Sequence, residues 1–305
     1  MKPVGIIGLG IMGSAIAANL VRAGYHVIGY DVRTARRRAH TRAGGVAARS
    51  ARDVAAEADI VICSLPSSEA LLETADAIAT LNRRPRIVIE TSTLPIEIKE
   101  TARRRLRAHG ATLLDCPLSG TGAQARAKDL VVYASGPRAA CRRAAPVLAG
   151  FARAQYYLGR FGAGSKMKFV ANLLVGIHNV AAAEALVLAM KAGLDPALTL
   201  KVVGEGAGSS RMLQLRGPMM VRGTYADATA TLAVWKKDMS IIADFARRLH
   251  CPTPLFTAAA PIYAAAIAAG RDQEDTAAVC AVIEQMANYR RRSRSAKRKA
   301  LRSWE

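Results

Sequence analysis

Two groups of residues in this chain have the types and spacing to do chemistry together. The first is Gly8-Leu9-Gly10-Ile11-Met12-Gly13, set directly after a β-branched run and directly before an Ala-rich helical stretch. Asp31 closes the next apolar run, 18 residues past Gly13. In such a turn Gly8 permits the tight reversal, Gly10 lets backbone approach a pyrophosphate, and Gly13 lets helix and strand pack closely. The free N–H groups at the helix start then favour phosphate charge. A carboxylate at Asp31 would accept hydrogen bonds from both ribose hydroxyls of an adenosine and would repel a 2′-phosphate, so the pattern predicts a dinucleotide site that prefers NAD. Arg33 and the run Arg36-Arg37-Arg38 could hold such a phosphate, which keeps NADP open, although a solvated helix face is the simpler account of that run. A bare structural turn is the competing account of the glycines; the order strand, turn, helix, strand, Asp favours the cofactor.

The second group supplies a proton carrier, which nicotinamide chemistry on an alcohol needs beside the carbinol oxygen. The five histidines, His26, His40, His109, His178 and His250, bear no evident relation to the other motifs. The segment from Gly162 to Asn172 instead sets Lys166 and Lys168 at the start of a long apolar helix. At 100° per residue Asn172 lies 40° from Lys168 and Asn179 lies 20° from it, whereas Lys166 falls about 160° away. Lys168 thus heads a polar stripe. Alone it would be read as a snorkelling surface lysine; the two asparagines on an otherwise apolar helix favour a lined cleft.

Those groups must be held by a recurring pattern of elements. Short β-branched runs (VGIIG, HVIGYD, DIVICSLP, RIVIE, ATLLDCP, LVVYASG and finally AQYYLG) alternate with Ala-rich helical stretches. Such alternation predicts an α/β fold, a mostly parallel sheet of doubly wound Rossmann type covered on both faces. After Gly164 the strand signals stop. A long helix over about Ser165 to Ala192, ended by Gly193, leads through Asp195-Pro196 into an all-helical region, in which Pro261 is expected near the start of a helix. The expected organisation is a dinucleotide-binding domain at 1–162, a helical substrate and oligomerisation domain at 163–289 linked through the long helix, and a basic tail at 290–305 with too few apolar residues to pack, expected to be disordered.

Composition narrows the function classes. At 305 residues, 51% hydrophobic and 22% charged, the chain is long enough for two domains and lies outside the disordered range. Its charge of +21 comes from 44 Lys+Arg against 23 Asp+Glu, of which the tail contributes +7 and the body +14. No aromatic platform or nucleic-acid motif accompanies that charge, so nucleic acid is not the expected partner, and the basic body would suit acidic small substrates. Five widely spaced cysteines without a C-x-x-C pair fit neither a disulfide framework nor zinc, and a reducing cytoplasm is the expected home. The N-terminus reaches glycines before a signal-peptide core develops, and Asn172, His178, Asn179 and Glu184 interrupt the apolar stretch 169–190, so neither export nor a membrane partner is expected.

With these blocks in this order the chain resembles the β-hydroxyacid dehydrogenase family, which includes 3-hydroxyisobutyrate dehydrogenase, tartronate semialdehyde reductase and, more distantly, 6-phosphogluconate dehydrogenase. The resemblance covers residues 1–289. It rests on the glycine turn running on to Ala17-Ala18-Asn19-Leu20, on Asp115-Cys116-Pro117-Leu118-Ser119-Gly120, on Gly162-Ala163-Gly164 with Lys168 and Asn172, and on Lys237-Asp238. Leu65-Pro66 and Ser92-Thr93 match further family positions. It implies that Lys168 is the general acid/base and that Asn172 orients the substrate. Ser119 and Gly120 would bind the substrate carboxylate, Lys237 would lie near nicotinamide and substrate, and Leu65, Pro66 and Thr93 would flank the cofactor beside Gly8, Gly10, Ile11, Met12, Gly13 and Asp31. It also implies a homodimer or homotetramer; the sequence offers no ligand cluster for a metal, and none is expected. Thr121 stands where many members carry a second glycine, and Cys116 and Leu118 replace the commoner Ala and Val, which leaves the substrate's identity open.

The expected reaction is hydride transfer between NAD, or NADP, and a small 3-hydroxy acid or its semialdehyde or keto acid. Two rivals remain. Imine reductases resemble the same scaffold but commonly lack the catalytic lysine, and a non-catalytic cofactor-binding module recruited to nucleic acid by the basic tail would have no need of it.

Overall fold

The computed structural model describes residues 3–81 and 85–291. Of the basic tail expected at 290–305, all but Arg290 and Arg291 lie outside the described residues. The chain divides into two compact units, Met1–Asn172 and Leu173–Glu305.

The first unit alternates as its sequence requires: β1 (Val4–Ile7), α1 (Ile11–Arg22), β2 (Val27–Tyr30), α2 (Thr34–Arg42), β3 (Val46–Ala47), α3 (Ala51–Glu57), β4 (Ile60–Cys63), α4 (Ser68–Ala79), β5 (Ile87–Glu90), α5 (Ile96–Ala108) and β6 (Thr112–Asp115). The six strands form one parallel sheet in the order β3-β2-β1-β4-β5-β6. Its central strands, VGII, IVIC and IVIE, are almost wholly apolar because helices cover both faces. One apolar cluster includes Ile6, Ile16, Leu20, Ile89 and Phe151, the other Ile7, Val61, Ile78, Val88 and Leu106. Register fixes the working edge. Ile7 pairs with Tyr30 and Cys63, Cys63 with Glu90, and Glu90 with Asp115, so the strands end level and their following loops stand in a row. Strand order reverses at β1 and β4, the place in open α/β sheets where a ligand crevice forms.

Two strands escape the sequence pattern. β3 has two residues, both exposed, and leaves no apolar signature. β7 (Leu118–Ser119) is equally short and follows β6 directly. It is antiparallel to β8 (Val131–Ala134), which runs parallel to β9 (Ala154–Tyr157), so these three make a separate small sheet with α6 (Gly122–Arg126) and α7 (Arg138–Phe151) between its strands. An antiparallel bridge, Asp115 to Ser135, joins the two sheets.

α8 (Ala163–Lys191) begins in the first unit and continues into the second. By length and composition it is apolar enough to cross a membrane, yet half of its most apolar window is buried within the fold, together with Asn172 and Asn179. A core helix accounts for both. Beyond it come α9 (Pro196–Glu205), α10 (Arg211–Arg222), α11 (Leu232–Arg248), α12 (Pro254–Ala268) and α13 (Val279–Met286), with no strand among the described residues there. Pro254, not Pro261, opens α12; Pro261 sits inside it. The missing N–H removes one rung, and the helix carries on because Phe256, Ala259, Tyr263 and Ala266 are buried along its length.

The second unit is organised by wholly buried Asp275. Its carboxylate pairs with Arg216 Nε at 3.1 Å and accepts the N–H groups of Ala277 at 3.0 Å, Thr229 at 2.8 Å and Ala230 at 3.2 Å. Together with the bridge from Asp275 to Thr231, the residue whose hydroxyl caps α11, these bonds fix the start of that helix. Burial alone would raise the Asp275 pKa, but Arg216 and the N–H donors outweigh it and hold the group below the ordinary aspartate value of 3.8. Such a group stabilises the fold above the ordinary value and loses that contribution as pH falls through the depressed one. Asp275→Asn is therefore expected to cost about 3 kcal/mol at neutral pH, chiefly by stranding Arg216. In urea melts run against pH, that gap should close on the acid side of 3.8.

The same unit fixes Arg291. Its guanidinium donates to the carbonyls of Met220 and Val221 at the end of α10 and pairs with Glu284 of α13.

Candidate active site

The glycine turn joins β1 to α1. Gly8 has φ +93°, and a Cβ there would stand 2.1 Å from the Ser64 carbonyl oxygen; one on Gly13 would stand 1.8 Å from that of Gly8. Neither position tolerates a side chain. Gly10 differs, since a Cβ there would meet nothing nearer than the Arg36 guanidinium at 3.8 Å. Gly10 also caps α1 without a side-chain bond, and no acid occupies the first turn at Ile11, Met12 and Gly13, so no side chain caps the amides at the helix start. These features fit a dinucleotide pyrophosphate.

Asp31 follows β2 and is buried. Its carboxylate accepts the Leu9 N–H at 2.9 Å and the Arg33 N–H at 2.8 Å and pairs with Arg36 at 3.1 Å. Burial would raise its pKa, but those N–H bonds and Arg36 hold it below the usual range, so the group is an anion at working pH. Of the arginine run, Arg37 is spent on the carbonyl of Asp31 at 2.6 Å and on Thr34 at 3.0 Å, whereas Arg36 lies between Asp31 and Gly10.

The loops after β4 and β5 carry Leu65-Pro66 and Ser92-Thr93. Neighbouring strands bring them side by side, and the Leu65 N–H donates to Ser92 Oγ at 2.8 Å. Ser119 and Gly120, half-buried at the end of β7, lead into α6. There Thr121 and Gln124 form a reciprocal capping box, so the Thr121 N–H donates to Gln124 Oε1 at 3.0 Å. Asn19 of α1 donates to the Ala125 carbonyl at 2.7 Å, tying the helix of the glycine turn to the segment that follows Ser119-Gly120.

The first turn of α8 is built to sit close. A Cβ on Gly164 would meet the carbonyl oxygens of Tyr133 at 2.3 Å and Asp115 at 2.7 Å. Ser165 donates its N–H to Asp115 Oδ2 at 2.8 Å and its hydroxyl to Oδ1 at 2.7 Å. From this anchored turn Lys166 projects into solvent, Lys168 is half-buried and Asn172 is buried. Asn179, which the helical spacing puts on the same stripe, does not line a cleft: its amide donates to Tyr263 Oη at 3.1 Å and the Thr276 carbonyl at 2.8 Å within the second unit. Lys237 also belongs to the second unit, on α11, 3.0 Å from Asp238 Oδ1. The other named residues stand in the first unit: the glycine turn, Asp31 and the Leu65-Pro66 and Ser92-Thr93 loops follow strands that end level with Asp115, on which the start of α8 is anchored, while Ser119-Gly120 lies at the end of β7, antiparallel to β8.

Sequence reasoning gave no role to Glu90, Lys99, Ser135 or Ser165, and quoted Asp115 only as part of a motif. Their cluster left one signal: Lys99 shares the stripe of Ala102 and Leu106 on α5, and two strands end in carboxylates.

A parallel sheet in this order, with such a glycine turn and an acid after the second strand, defines a dinucleotide-binding domain of Rossmann type. A family model described as the NAD binding domain of 6-phosphogluconate dehydrogenase matches residues 3–159, and one described as NAD-binding of NADP-dependent 3-hydroxyisobutyrate dehydrogenase matches 162–283. L-threonate dehydrogenase of Cupriavidus necator is 36% identical over 282 residues, covering 91% of this chain and 95% of that protein. The crystal structure of 3-hydroxyisobutyrate dehydrogenase from Salmonella typhimurium is similar with a TM-score of 0.84 at 33% identity, over 92% of this chain and 100% of that one. The Mycobacterium tuberculosis 3-hydroxyisobutyrate dehydrogenase structure with L-serine gives 0.83 at 30%, over 93% and 99%. The chain belongs to the β-hydroxyacid dehydrogenase family.

Proposed function

We propose that this enzyme interconverts a small 3-hydroxy acid and its carbonyl form with Lys168 as the general acid/base. The observation that carries the proposal is the half-buried Lys168 one turn past a helix start anchored on Asp115, at the same sheet edge as the glycine turn. Bound NAD(P) supplies the hydride acceptor for oxidation and the donor for the reverse. The N–H groups of Ile11, Met12 and Gly13 would hold its pyrophosphate and Asp31 its adenosine ribose, with Leu65, Pro66 and Thr93 flanking it. In oxidation neutral Lys168 Nζ takes the hydroxyl proton as the carbinol hydride departs; in reduction its ammonium form returns that proton. The Ser119 hydroxyl and Gly120 N–H would bind the substrate carboxylate, with Asn172 orienting the substrate and Lys237 adding positive charge. Asp31 supports NAD as the preferred carrier, and Arg36 beside it keeps NADP within reach.

Residues 1–162 would then form the cofactor domain and 163–289 the substrate and oligomerisation domain. Leu194, Leu198 and Val202 are exposed around an α9 with no buried residue, which supports a homodimer or homotetramer through this region. Five free cysteines, four of them buried, support a reducing cytoplasm.

The test is formation of NADH and NADPH with 3-hydroxyisobutyrate, glycerate, threonate, 4-hydroxybutyrate and 3-hydroxypropionate. Turnover of at least one acid, faster with NAD and rising towards alkaline pH, is expected. Cofactor binding without turnover of any acid would move the assignment to imine reduction or a binding role.

A further inference from the structure

Three wholly buried charged side chains lie behind the site: Glu90 at the end of β5, Asp115 at the end of β6 and Lys99 on α5, each 0% exposed. Glu90 and Asp115 are register partners, so two carboxylates stand side by side in the interior. Lys99 Nζ lies between them, ion-paired at 2.6 Å from Glu90 Oε2, and donates hydrogen bonds to Asp115 Oδ1 at 2.9 Å and to the Ser92 carbonyl at 2.7 Å. Burial alone would lower the Lys99 pKa, but Asp115 and Glu90 outweigh it and hold the group above the ordinary lysine range, so it stays charged and static.

The outer atoms of the cluster show what it holds. Glu90 Oε1 accepts the Ser92 N–H at 2.8 Å, and Ser92 Oγ in turn accepts the Leu65 N–H at 2.8 Å, so one arm fixes both loops that would flank the cofactor. The other arm is Asp115. It receives both Ser165 bonds and the Ser135 hydroxyl at 3.2 Å, while Ser135 Oγ accepts the Gly164 N–H at 3.0 Å. Lys168 follows Ser165 by three residues, on the same side of the helix. A buried ion cluster that served stability alone could be replaced by apolar side chains at little loss. Here both arms end in the segments that carry Leu65, Thr93 and Lys168.

We propose that Lys99 is a positioning residue: with Glu90 and Asp115 it sets the first turn of α8, and so Lys168, in register with the loops at Leu65-Pro66 and Ser92-Thr93. The proposal rests on reading Lys168 as the proton carrier. Lys99→Met strands two buried carboxylates and can fail to fold, so the decisive variant is Ser165→Ala, which removes one bond to Asp115 and leaves the charges compensated. Ile78→Val, a truncation in the core of α4, serves as the control for mild destabilisation. In the full-length protein kcat, KM, the NADH dissociation constant and amide hydrogen exchange over residues 164–169 are measured.

Ser165→Ala is expected to lower kcat about tenfold, since small misplacements of a reacting group are costly. KM and NADH affinity should stay near wild type, exchange at 164–169 should quicken, and Ile78→Val should do none of this. Wild-type kcat in Ser165→Ala would overturn the proposal and reduce the cluster to a structural one. If the wild-type enzyme turned over no hydroxy acid, the proposed function would fall by itself, and exchange would still decide the matter: quickening confined to Ser165→Ala supports the clamp, and exchange equal to wild type overturns it.

Discussion

Lys168→Ala should abolish turnover for practical purposes, lowering kcat by about 10²- to 10⁴-fold, the usual worth of a positioned proton carrier. NADH binding should survive. The proposed pyrophosphate and ribose positions, at Gly10 and Asp31, belong to the first βαβ segment, far in sequence from α8, so fluorescence titration of NADH should give nearly the wild-type affinity. The same experiment on Lys166→Ala should leave kcat unchanged, because Lys166 projects into solvent from the opposite side of α8. The pair separates a general acid/base from a general electrostatic attraction of the anionic substrate, which either lysine could provide. Equal losses in both variants, or a loss in Lys168→Ala confined to KM, would remove Lys168 from the proton path.

The second large effect falls on stability. Lys99→Met should destabilise the first unit by about 3–5 kcal/mol, the range found when one partner of a buried ion pair is deleted. Most of that cost comes from what is left behind. Glu90 and Asp115 would remain register partners with no counter-charge between them, and the Ser92 carbonyl would lose its donor. The triple variant Glu90→Gln/Lys99→Met/Asp115→Asn should therefore be more stable than Lys99→Met alone, since it removes the stranded charges along with the lysine. Urea unfolding at neutral pH checks both statements; a triple variant no more stable than the single one would locate the cost in lost packing and not in uncompensated charge.

How far the sequence could be read follows from where each interaction lies. The glycine turn was legible because its requirements are local: Gly8 and Gly13 are forced by carbonyls within a few residues of chain or on the adjoining strand, and Asp31 ends the next strand. The opposite orientations of Lys166 and Lys168 follow from helical period alone. Strands buried on both faces announce themselves by composition, whereas β3 and β7, two residues each, are defined by pairing partners distant in the chain. Asn179 shows the limit of periodicity. The angle that put it beside Lys168 was right, but the partners that claim its amide, Tyr263 and Thr276, come from 84 and 97 residues away. Lys99 was hidden for the opposite reason: in IEIKETARRRLRA a lysine blends into a charged helix, and only the carboxylates ending β5 and β6 reveal why this one turns inward.

Arg291 carries a practical consequence for trimming the chain. By composition the basic extension starts at Arg290, and a cut there would look harmless. It would take away the cation that occupies the terminal carbonyls of α10 and would leave Glu284 without its partner, so the loss would be felt in the helical unit and be mistaken for an effect of the extension itself. Arg291 is basic by composition, yet it belongs to the architecture of the helical unit.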